Sequence, residues 1–274
     1  MNIIETIVSV GIKSPFRVVH ISDTHLTDAD LRDGERKVLL AEKRKKIFPG
    51  AEQTLERACQ LAREQGIPIL HTGDLLDFVS IANLEKAKEF TDKNDCFMAA
   101  GNHEFSLYVG EAKEDAAYRN QSLAIVQTAF KNNIRMSSRV IGDVNFVALD
   151  NGYYLFDVDQ LAFLKAEVSK QMPIVLLLHN PLYERALYDV IMKKSPCAYL
   201  VGVPEALMQG YPADRLEQQR ADDVTREAVA YIQREPKIKA IIAGHIHFNY
   251  EGVFANRIPQ ITTSCTDIRH IEFV

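Results

Sequence analysis

Cysteine is scarce in this sequence, and tryptophan is absent. The four cysteines, at positions 59, 96, 197 and 265, form no C-x-x-C pair. A chain of 274 residues buries enough apolar surface to fold without disulfides. The cysteine pattern therefore excludes a disulfide-stapled domain and predicts free, mostly buried thiols in a reducing compartment.

Long hydrophobic runs are also missing. The longest ones, such as residues 174–178, fall far short of the ~18 apolar residues that a membrane helix needs. Residues 1–15 have no basic region, and polar residues interrupt their apolar ones, which predicts a β-strand at 3–10 rather than a signal peptide. We therefore expect a cytoplasmic protein with no membrane partner.

Positive charge is not in excess. The chain carries 32 Lys and Arg against 37 Asp and Glu, which gives a net charge of −5. Its densest basic cluster, residues 43–46, lies close to several acidic residues and predicts a solvated helix face. Because a duplex-binding surface normally appears as a basic stripe, we expect no nucleic-acid duplex as partner.

Short β-branched runs alternate with longer stretches of helical periodicity along the chain. The predicted strands after the amino-terminal one are residues 16–21, 67–71, 96–100, 144–150, 174–179, 239–243 and 260–263. The predicted helices are residues 51–65, 81–91, 111–131, 159–171 and 222–234. This alternation predicts an α/β fold with a largely buried sheet.

Polar side chains follow five of these strands, at the end where α/β folds place their ligand sites. They are Asp23, His25, Asp74, Asp77, Asn102, His103, Glu104, His179, His245 and His247. Single motifs such as Asp-x-His are expected about 0.5 times by chance in a chain of this composition, but Gly-Asn-His only about 0.02 times and Gly-His-x-His about 0.01 times. Chance therefore does not account for these motifs occurring together, which indicates that their side chains share a chemical role. The glycines at 73, 101 and 244 are expected to allow sharp turns that direct the next side chain inward.

The residue types in these loops are ligands of divalent transition metals. Imidazole nitrogen and carboxylate oxygen, without a thiolate, favour Mn, Fe or Zn over a structural zinc knot. Two Asp, one Asn and four His exceed what one tetrahedral ion can use. The number fits two metal ions about 3.5–4 Å apart, which can activate a water for in-line attack on a phosphate.

The motifs resemble those of the calcineurin-like metallophosphoesterases. The five blocks of that family, D-x-H, G-D-x-x-D, G-N-H-[DE], a lone His and G-H-x-H, occur here in the same order between residues 23 and 247. The resemblance implies a four-layer αββα sandwich, with two mixed β-sheets and helices on the outside. We expect a single domain over residues 1–274.

The resemblance also implies which residues bind two divalent or trivalent metal ions, Mn, Fe or Zn. The ligands implied for the first ion are Asp23, His25 and His247. Those implied for the second are Asn102, His179 and His245, with Asp74 as the bridge between the ions. Every ligand position of the family is thus occupied by a suitable residue.

Three further residues of the motifs are implied to support the chemistry. His103 is expected to protonate the leaving oxygen or to stabilise charge on the transferring phosphoryl group. Glu104 is expected to accept a hydrogen bond from the His103 ring and so favour the imidazolium. Asp77 is expected to orient a ligand rather than to bind metal itself.

The histidines outside the motifs have less specific interpretations. His20 lies within an apolar run, which favours a hydrogen-bonded core residue. His71 either belongs to the core or orients a ligand, and His270 is assigned no role.

The 66 residues between His179 and His245 are more than one crossover needs, which predicts an inserted lid at about residues 182–221. This insertion contains Tyr183, Tyr188, Tyr199 and Tyr211 together with Arg185, Arg215 and Arg220. Such residues can stack on a base and pair with a phosphate, but ordinary surface packing is their commoner role.

The predicted function is hydrolysis of a small phosphoester, of the phosphodiester or nucleotide type, by a metal-bridging hydroxide. A phosphomonoesterase and a protein phosphatase remain alternatives, since they share the same metal centre. A non-catalytic scaffold of the same fold is disfavoured because the chain keeps every ligand position as well as His103.

Overall fold

The computed structural model describes residues 1–110 and 114–274, which form eleven β-strands and eight α-helices. The strands are β1 (Ile3–Val8), β2 (Phe16–Ile21), β3 (Ile69–His71), β4 (Cys96–Met98), β5 (Met136–Ile141), β6 (Val144–Leu149), β7 (Ile174–Leu177), β8 (Ile238–Ala243), β9 (Tyr250–Phe254), β10 (Ile258–Thr262) and β11 (Ile268–Phe273). The helices are α1 (Glu35–Lys45), α2 (Ala51–Gln65), α3 (Ile81–Lys93), α4 (Ala116–Gln127), α5 (Val158–Ser169), α6 (Arg185–Ile191), α7 (Ala213–Gln219) and α8 (Asp223–Arg234). Within these described ranges, no helix has both the length and the apolar character that crossing a bilayer requires.

The strands build two mixed sheets. The five-stranded sheet has the order β1-β11-β2-β3-β4, and the six-stranded sheet has the order β5-β6-β7-β8-β10-β9. Strands β2, β3 and β4 run parallel to one another, as do β6, β7, β8 and β10. The carboxyl ends of the central strands therefore meet at the same edge of each sheet.

The two sheets face each other across a shared apolar core. Val18 and Phe97 from the first sheet contact this core together with Val175 and Ile242 from the second. Neighbouring residues on the same strands, such as Val19, point outward into a core that α2, α3 and α4 cover. Helices α5 and α8 cover the outer face of the second sheet in the same way. The predicted αββα sandwich is thus confirmed, and burial on both faces explains the nearly continuous apolar runs of its strands.

Local sequence sets several of the helix ends. Helix α2 ends at Gln65, and the following Gly66 adopts a left-handed conformation with φ of 66° and donates its N–H to carbonyl oxygens of the last turn. Helix α3 begins after Ser80, whose hydroxyl accepts the backbone N–H of Asn83. The predicted bounds of α2 are confirmed, whereas the predicted helix at 111–131 is shorter, since α4 begins at Ala116 and residues 111–113 lie outside the described residues.

The predicted insertion at 182–221 contains α6 and α7 and has an apolar core of its own. Leu187, Tyr188 and Tyr211 are buried in that core. The core extends to Ile246 and Phe248, which lie in the loop after β8. The insertion therefore packs directly against the loop that carries the last two predicted metal ligands.

Candidate metal centre

Four predicted ligands from three loops form one cluster. The possible donor atoms of Asp23, His25, Asp74 and His247 all lie within 4.8 Å of one another. His247 Nε2 is 3.2 Å from Asp23 Oδ1 and 3.3 Å from His25 Nε2. Separations of about 3 Å between donors are those that one ion with metal–ligand bonds of about 2.1 Å requires.

A second cluster lies beside the first and shares one of its members. Asp74, His179 and His245 offer donor atoms within 4.8 Å of one another. His179 Nε2 is 3.2 Å from Asp74 Oδ2 and 3.1 Å from His245 Nδ1. Asp74 therefore occupies the position between two candidate ion sites, as expected of a bridging carboxylate.

Asn102, the seventh predicted ligand, lines the same cavity as Asp74 and His245. Its Nδ2 donates a hydrogen bond of 3.0 Å to Glu114 Oε1. Its Oδ1 is buried and accepts no hydrogen bond from the described part of the chain. A buried amide oxygen without a donor costs free energy, and a cation beside it removes that cost, so the donor set and this orphaned oxygen both fit a metal centre.

The backbone at the ligands is unusual. Five predicted ligands have a positive φ, namely Asp23 at 56°, His25 at 37°, Asp74 at 55°, His245 at 69° and His247 at 55°. Hydrogen bonds between the loops hold these conformations, including Asp23 N to Gly73 O at 3.0 Å and His25 N to Asp74 O at 2.9 Å. Positive φ is uncommon outside glycine, and such conformations concentrate at functional sites.

The three motif glycines are needed for two different reasons. Gly73 has a φ of 95°, which agrees with the predicted sharp turn. Gly101 and Gly244 are not in the left-handed region, and close approach is what requires them. A Cβ at Gly101 would overlap the Asp74 carboxylate, and one at Gly244 would overlap the side chains of Ser22 and Asp23. The sharp-turn prediction therefore holds for Gly73 alone.

The electrostatics of the clusters favour a bound cation. Burial lowers the pKa of His179, but the carboxylates of Asp74 and Asp23 outweigh burial and raise the pKa to about 9. Burial raises the pKa of Asp74, but the rings of His179 and His103 hold it well below its usual range. Burial also raises the pKa of Asp23, but His247 outweighs burial and holds the pKa below its usual range. The carboxylates of Asp74 and Asp23 are therefore ionised at neutral pH, and a metal ion that binds here displaces the proton that they hold on the His179 ring.

His103 lies beside these clusters and lines the same cavity. Its Nδ1 is 2.7 Å from the backbone oxygen of Asp77, which accepts the Nδ1 proton and leaves Nε2 for other contacts. Burial lowers the pKa of His103, but the carboxylates of Asp74 and Asp77 raise it to about 10. The geometry and the charge environment thus favour an imidazolium.

Glu104 has a different role from the predicted one. Its buried carboxylate accepts hydrogen bonds from the backbone N–H groups of Asp74 at 2.8 Å, Leu75 at 2.7 Å, Leu76 at 3.1 Å and Gly101 at 2.6 Å. The predicted hydrogen bond to the His103 ring is wrong, because these N–H groups occupy both carboxylate oxygens and Asp77 contacts that ring instead. Glu104 joins the loop after β3 to the loop after β4.

Asp77 contacts His25 in the manner predicted for an orienting residue. Its Oδ1 is 3.1 Å from His25 Nδ1, which leaves His25 Nε2 facing the first cluster. Arg44 donates to both Asp77 oxygens, at 2.6 and 2.8 Å. Phe48 stacks on His25 with ring centroids 3.8 Å apart. The prediction of a solvated face is therefore wrong for Arg44, and no motif in the sequence indicated the role of Phe48.

Replacing Arg44 with methionine is expected to lower the free energy of unfolding by about 3 kcal/mol at pH 7, because the buried Asp77 carboxylate loses its cationic partner. Burial raises the pKa of Asp77, but Arg44 and the two histidines hold it far below its usual range. A carboxyl group whose pKa is lower in the folded state than in the unfolded state stabilises the fold at pH values above its unfolded pKa of about 3.9. This stabilisation is lost as the pH falls below that value. The deficit of Arg44→Met should therefore shrink in acid.

Denaturant unfolding of the metal-free protein at pH 7 and in acid measures this effect. Lys43→Met removes the same kind of charge from the adjacent, exposed position and should change the free energy of unfolding by less than about 0.5 kcal/mol. Equal effects of the two substitutions would contradict the assignment of Arg44 as the partner of Asp77.

The cavity beside the metal centre has a volume of about 930 Å³. Tyr199, Arg215 and Gln218 contribute its wall from the insertion. Tyr154 also lines it, and its hydroxyl lies 2.8 Å from His245 Nε2, on the far side of the ring from the second cluster. Of the tyrosines and arginines that the sequence indicated, only Tyr199 and Arg215 line this cavity.

Two histidines outside the motifs lie beneath the metal centre. The ring nitrogens of His20 are 2.9 Å from Thr72 Oγ1 and 2.8 Å from Thr263 Oγ1, so the prediction of a hydrogen-bonded core residue is confirmed. His71 Nε2 lies 2.9 Å from Thr24 Oγ1, and burial lowers the pKa of His71 to about 3. Neutral His71 therefore fixes the hydroxyl of Thr24, the residue between two predicted ligands.

Comparisons with known proteins bear on this arrangement. Residues 16–249 match the calcineurin-like phosphoesterase family. The fold is similar to that of a purple acid phosphatase from yellow lupin (Lupinus luteus), with a TM-score of 0.56, 17% identity, and coverage of 93% of this chain and 45% of that one. It is also similar to a dimetal phosphatase from Danio rerio, with a TM-score of 0.51, 14% identity, and coverage of 92% of this chain and 88% of that one.

The similar structures show the fold of the chain, whereas the sequence match shows its family. The chain spans less than half the length of the lupin enzyme, and at these identities a structural likeness shows the fold alone. None of the curated proteins compared with the chain matches it. The sequence match, in contrast, extends over most of the chain and includes every motif that carries a predicted ligand. The chain therefore belongs to the calcineurin-like phosphoesterase family, as its motifs predicted.

Proposed function

We propose that this chain hydrolyses a small phosphoester, of the phosphodiester or nucleotide type, at a centre of two metal ions. The observation that carries the proposal is the pair of donor clusters that share Asp74, with His103 in the same cavity. Every predicted ligand contributes to the clusters or to the wall of that cavity. A network of structural ion pairs does not require so many imidazole and carboxylate groups with their possible metal-binding atoms gathered around one cavity.

The residues that would hold the first ion are Asp23, His25 and His247. Those that would hold the second are Asn102, His179 and His245, with Asp74 shared. When bound there, two ions of Mn, Fe or Zn would supply Lewis acidity and would lower the pKa of a water molecule toward neutral pH, as attack on phosphorus requires.

The other residues of the site orient the histidine rings, donate a proton and hold the ligand loops together. Asp77 fixes the ring of His25 through Nδ1, and its backbone oxygen fixes His103 in the same way. His103 then holds its second proton at Nε2 and donates it to the oxygen of the leaving group. The Glu104 carboxylate holds the loop that carries Asp74 against the loop that carries His103, because it accepts backbone N–H groups from both loops.

The charge and size of the cavity favour a small ester with little negative charge. Its volume of about 930 Å³ lies within the range of about 300–1,000 Å³ that small-molecule sites have. Among the described residues that line it, the acidic ones include Glu114, Asp115, Asp157, Asp214 and Asp222, whereas Arg119, Arg215 and the imidazolium of His103 carry positive charge. Away from the proposed ion sites, such a lining repels the additional charges of a polyanion, so a small ester with one negatively charged phosphate at the ions fits better than a polyphosphate or a nucleic-acid duplex.

Metal analysis and a substrate panel test the proposal directly. The purified protein is stripped with chelator, reloaded with Mn²⁺, and assayed on nitrophenyl mono- and diesters, cyclic and 5′-nucleotides, and a phosphopeptide. We expect two ions per chain and the highest kcat/KM on a small diester or nucleotide. Preference for the nitrophenyl monoester over both the diesters and the nucleotides would identify a general phosphomonoesterase, and preference for the phosphopeptide would identify a protein phosphatase. Absence of bound metal and of turnover on all esters would contradict the proposal.

Tyr199 provides a test of substrate type. Its ring packs at 5.7 Å from the His245 ring and at 5.7 Å from the Arg215 guanidinium, in the cavity wall. If it stacks on a planar leaving group, Tyr199→Ala should raise KM for a nucleotide-type ester by about tenfold and leave KM for a methyl ester unchanged.

Tyr183→Ala is the matched control, since Tyr183 packs within the insertion and does not line this cavity. It should leave both KM values unchanged. An equal rise in KM for the nucleotide and the methyl ester in Tyr199→Ala would indicate a disturbed metal centre rather than a lost stacking contact.

A further inference from the structure

The side chain of Asn102 is connected to the insertion through a single carboxylate. Asn102 Nδ2 donates to Glu114 Oε1 at 3.0 Å. The other oxygen of the same carboxylate, Glu114 Oε2, accepts a short hydrogen bond from Gln218 Nε2 on α7. A chain of three side chains thus runs from the insertion to a predicted ligand of the second ion.

This arrangement determines which atom Asn102 presents to the metal centre. An amide side chain can present either its oxygen or its NH2 group, and both oxygens of Glu114 accept hydrogen bonds here, one from Asn102 and one from Gln218. Glu114 therefore pairs with the NH2 group, and the oxygen is left on the opposite side. That oxygen is the buried atom without a hydrogen-bond partner in the described residues.

We propose that Glu114 is a positioning residue that holds Asn102 with Oδ1 toward the second metal ion, and that Gln218 of the insertion holds Glu114 in place. The inference rests on the ligand role proposed above for Asn102. It follows that the insertion influences affinity for the second ion as well as forming a cavity wall. Residues that hold a ligand from behind typically change metal affinity about 10- to 100-fold when they are replaced.

Three variants separate positioning from simple charge attraction. Glu114→Asp keeps the negative charge, but its side chain is one methylene shorter and cannot make the same hydrogen bonds. Gln218→Ala leaves all charges unchanged and removes the support of Glu114, together with the oxygen that accepts a hydrogen bond of 2.7 Å from Arg215 Nη1. Asp223→Asn is the control, because Asp223 is exposed, pairs with Arg226 on α8 and does not line the cavity.

Calorimetric titration of the metal-free proteins with Mn²⁺ measures the two affinities. We expect Glu114→Asp to bind the second ion about 10- to 100-fold more weakly, Gln218→Ala to show a smaller loss, and Asp223→Asn to match the wild type. The first ion should bind equally in all four proteins. Electron paramagnetic resonance at two equivalents of Mn²⁺ should show the spin-coupled pair in the wild type and isolated ions in Glu114→Asp. Thermal melting without metal should be unchanged.

The possible failures are distinguishable. If the wild type binds two coupled ions and Glu114→Asp binds both equally well, the positioning role is wrong and the proposed function stands. A fourth variant, Glu114→Gln, removes the charge but keeps the length of the side chain. If Glu114→Asp is normal but Glu114→Gln binds the second ion more weakly, the carboxylate acts through its charge, which also overturns the positioning role. If the wild type binds fewer than two ions, the dinuclear centre is wrong and the inference falls with it.

Discussion

Replacing Asp74 with alanine is expected to reduce turnover of every ester by at least about 10³-fold, which corresponds to several kcal/mol of lost transition-state stabilisation. Asp74 is the one residue that belongs to both donor clusters, 3.2 Å from His179 and 3.9 Å from His25. Its Oδ1 also accepts the backbone N–H of His103 at 2.9 Å. The substitution therefore weakens both ion sites and releases the loop that carries His103.

Metal content and thermal stability report the same loss independently of activity. The wild type should gain about 2.7 kcal/mol of stability per site at Mn²⁺ concentrations 100-fold above Kd, whereas Asp74→Ala should gain far less. Asp95→Asn is the control, since Asp95 pairs with Arg139 on the surface, and it should behave as the wild type. Two ions bound with wild-type affinity in Asp74→Ala would contradict the shared position of this carboxylate.

The convergence of the predicted ligands could be anticipated because each motif directly follows a strand and most motifs combine residues that lie close together in sequence. Asp23 and His25 follow β2, and His245 and His247 follow β8, so local spacing and parallel strand order together bring them to one edge. The strands themselves were recognisable from apolar runs such as Ile174–Leu177, because both faces of the sheet are buried. Pattern and topology thus sufficed for the α/β class and for the meeting of these side chains at one edge, whereas the four-layer sandwich and the assignment of ligands to two ions came from the family resemblance.

The partners of the ligands were not predictable, because they come from distant segments that carry no pattern of their own. Arg44 lies 33 residues before Asp77, and Tyr154 lies 91 residues before His245. Arg44 also stands in a basic cluster whose other members are exposed, so composition indicated a solvated face. Glu104 was assigned to His103 because the two are adjacent in sequence, whereas the fold turns its carboxylate toward backbone N–H groups.

Some strands were missed for a similar reason. Strand β11 carries Arg269 and His270, charged or polar residues that normally indicate exposure. Arg269 is nevertheless buried, since its guanidinium pairs with Glu251 on the other sheet and donates to the oxygen of Thr262 at 3.1 Å. The pairing of a buried charge depends on the assembled sandwich, and no local window of sequence contains that information.

Replacing His103 with alanine is expected to reduce kcat on esters with alkoxide leaving groups by about 10²- to 10⁴-fold, the usual contribution of a general acid. Nitrophenyl esters should lose less than about tenfold, because nitrophenolate leaves without a proton. In the wild type, activity on alkyl esters should fall as pH rises through the raised pKa of His103, since the imidazolium is the active form. That alkaline decline should disappear in the variant.

Parallel kinetics on a nitrophenyl ester and an alkyl ester, with metal content measured on the same samples, test this role. His270→Gln is the matched control, since His270 lies on β11 against Glu5 and does not line the cavity, and its kinetics should match the wild type. Because the backbone N–H at position 103 remains in alanine, the hydrogen bond to Asp74 and both ions should be retained. Equal losses on the two esters would show that His103 stabilises the transferring phosphoryl group rather than protonating the leaving oxygen, since only protonation depends on the basicity of the leaving group.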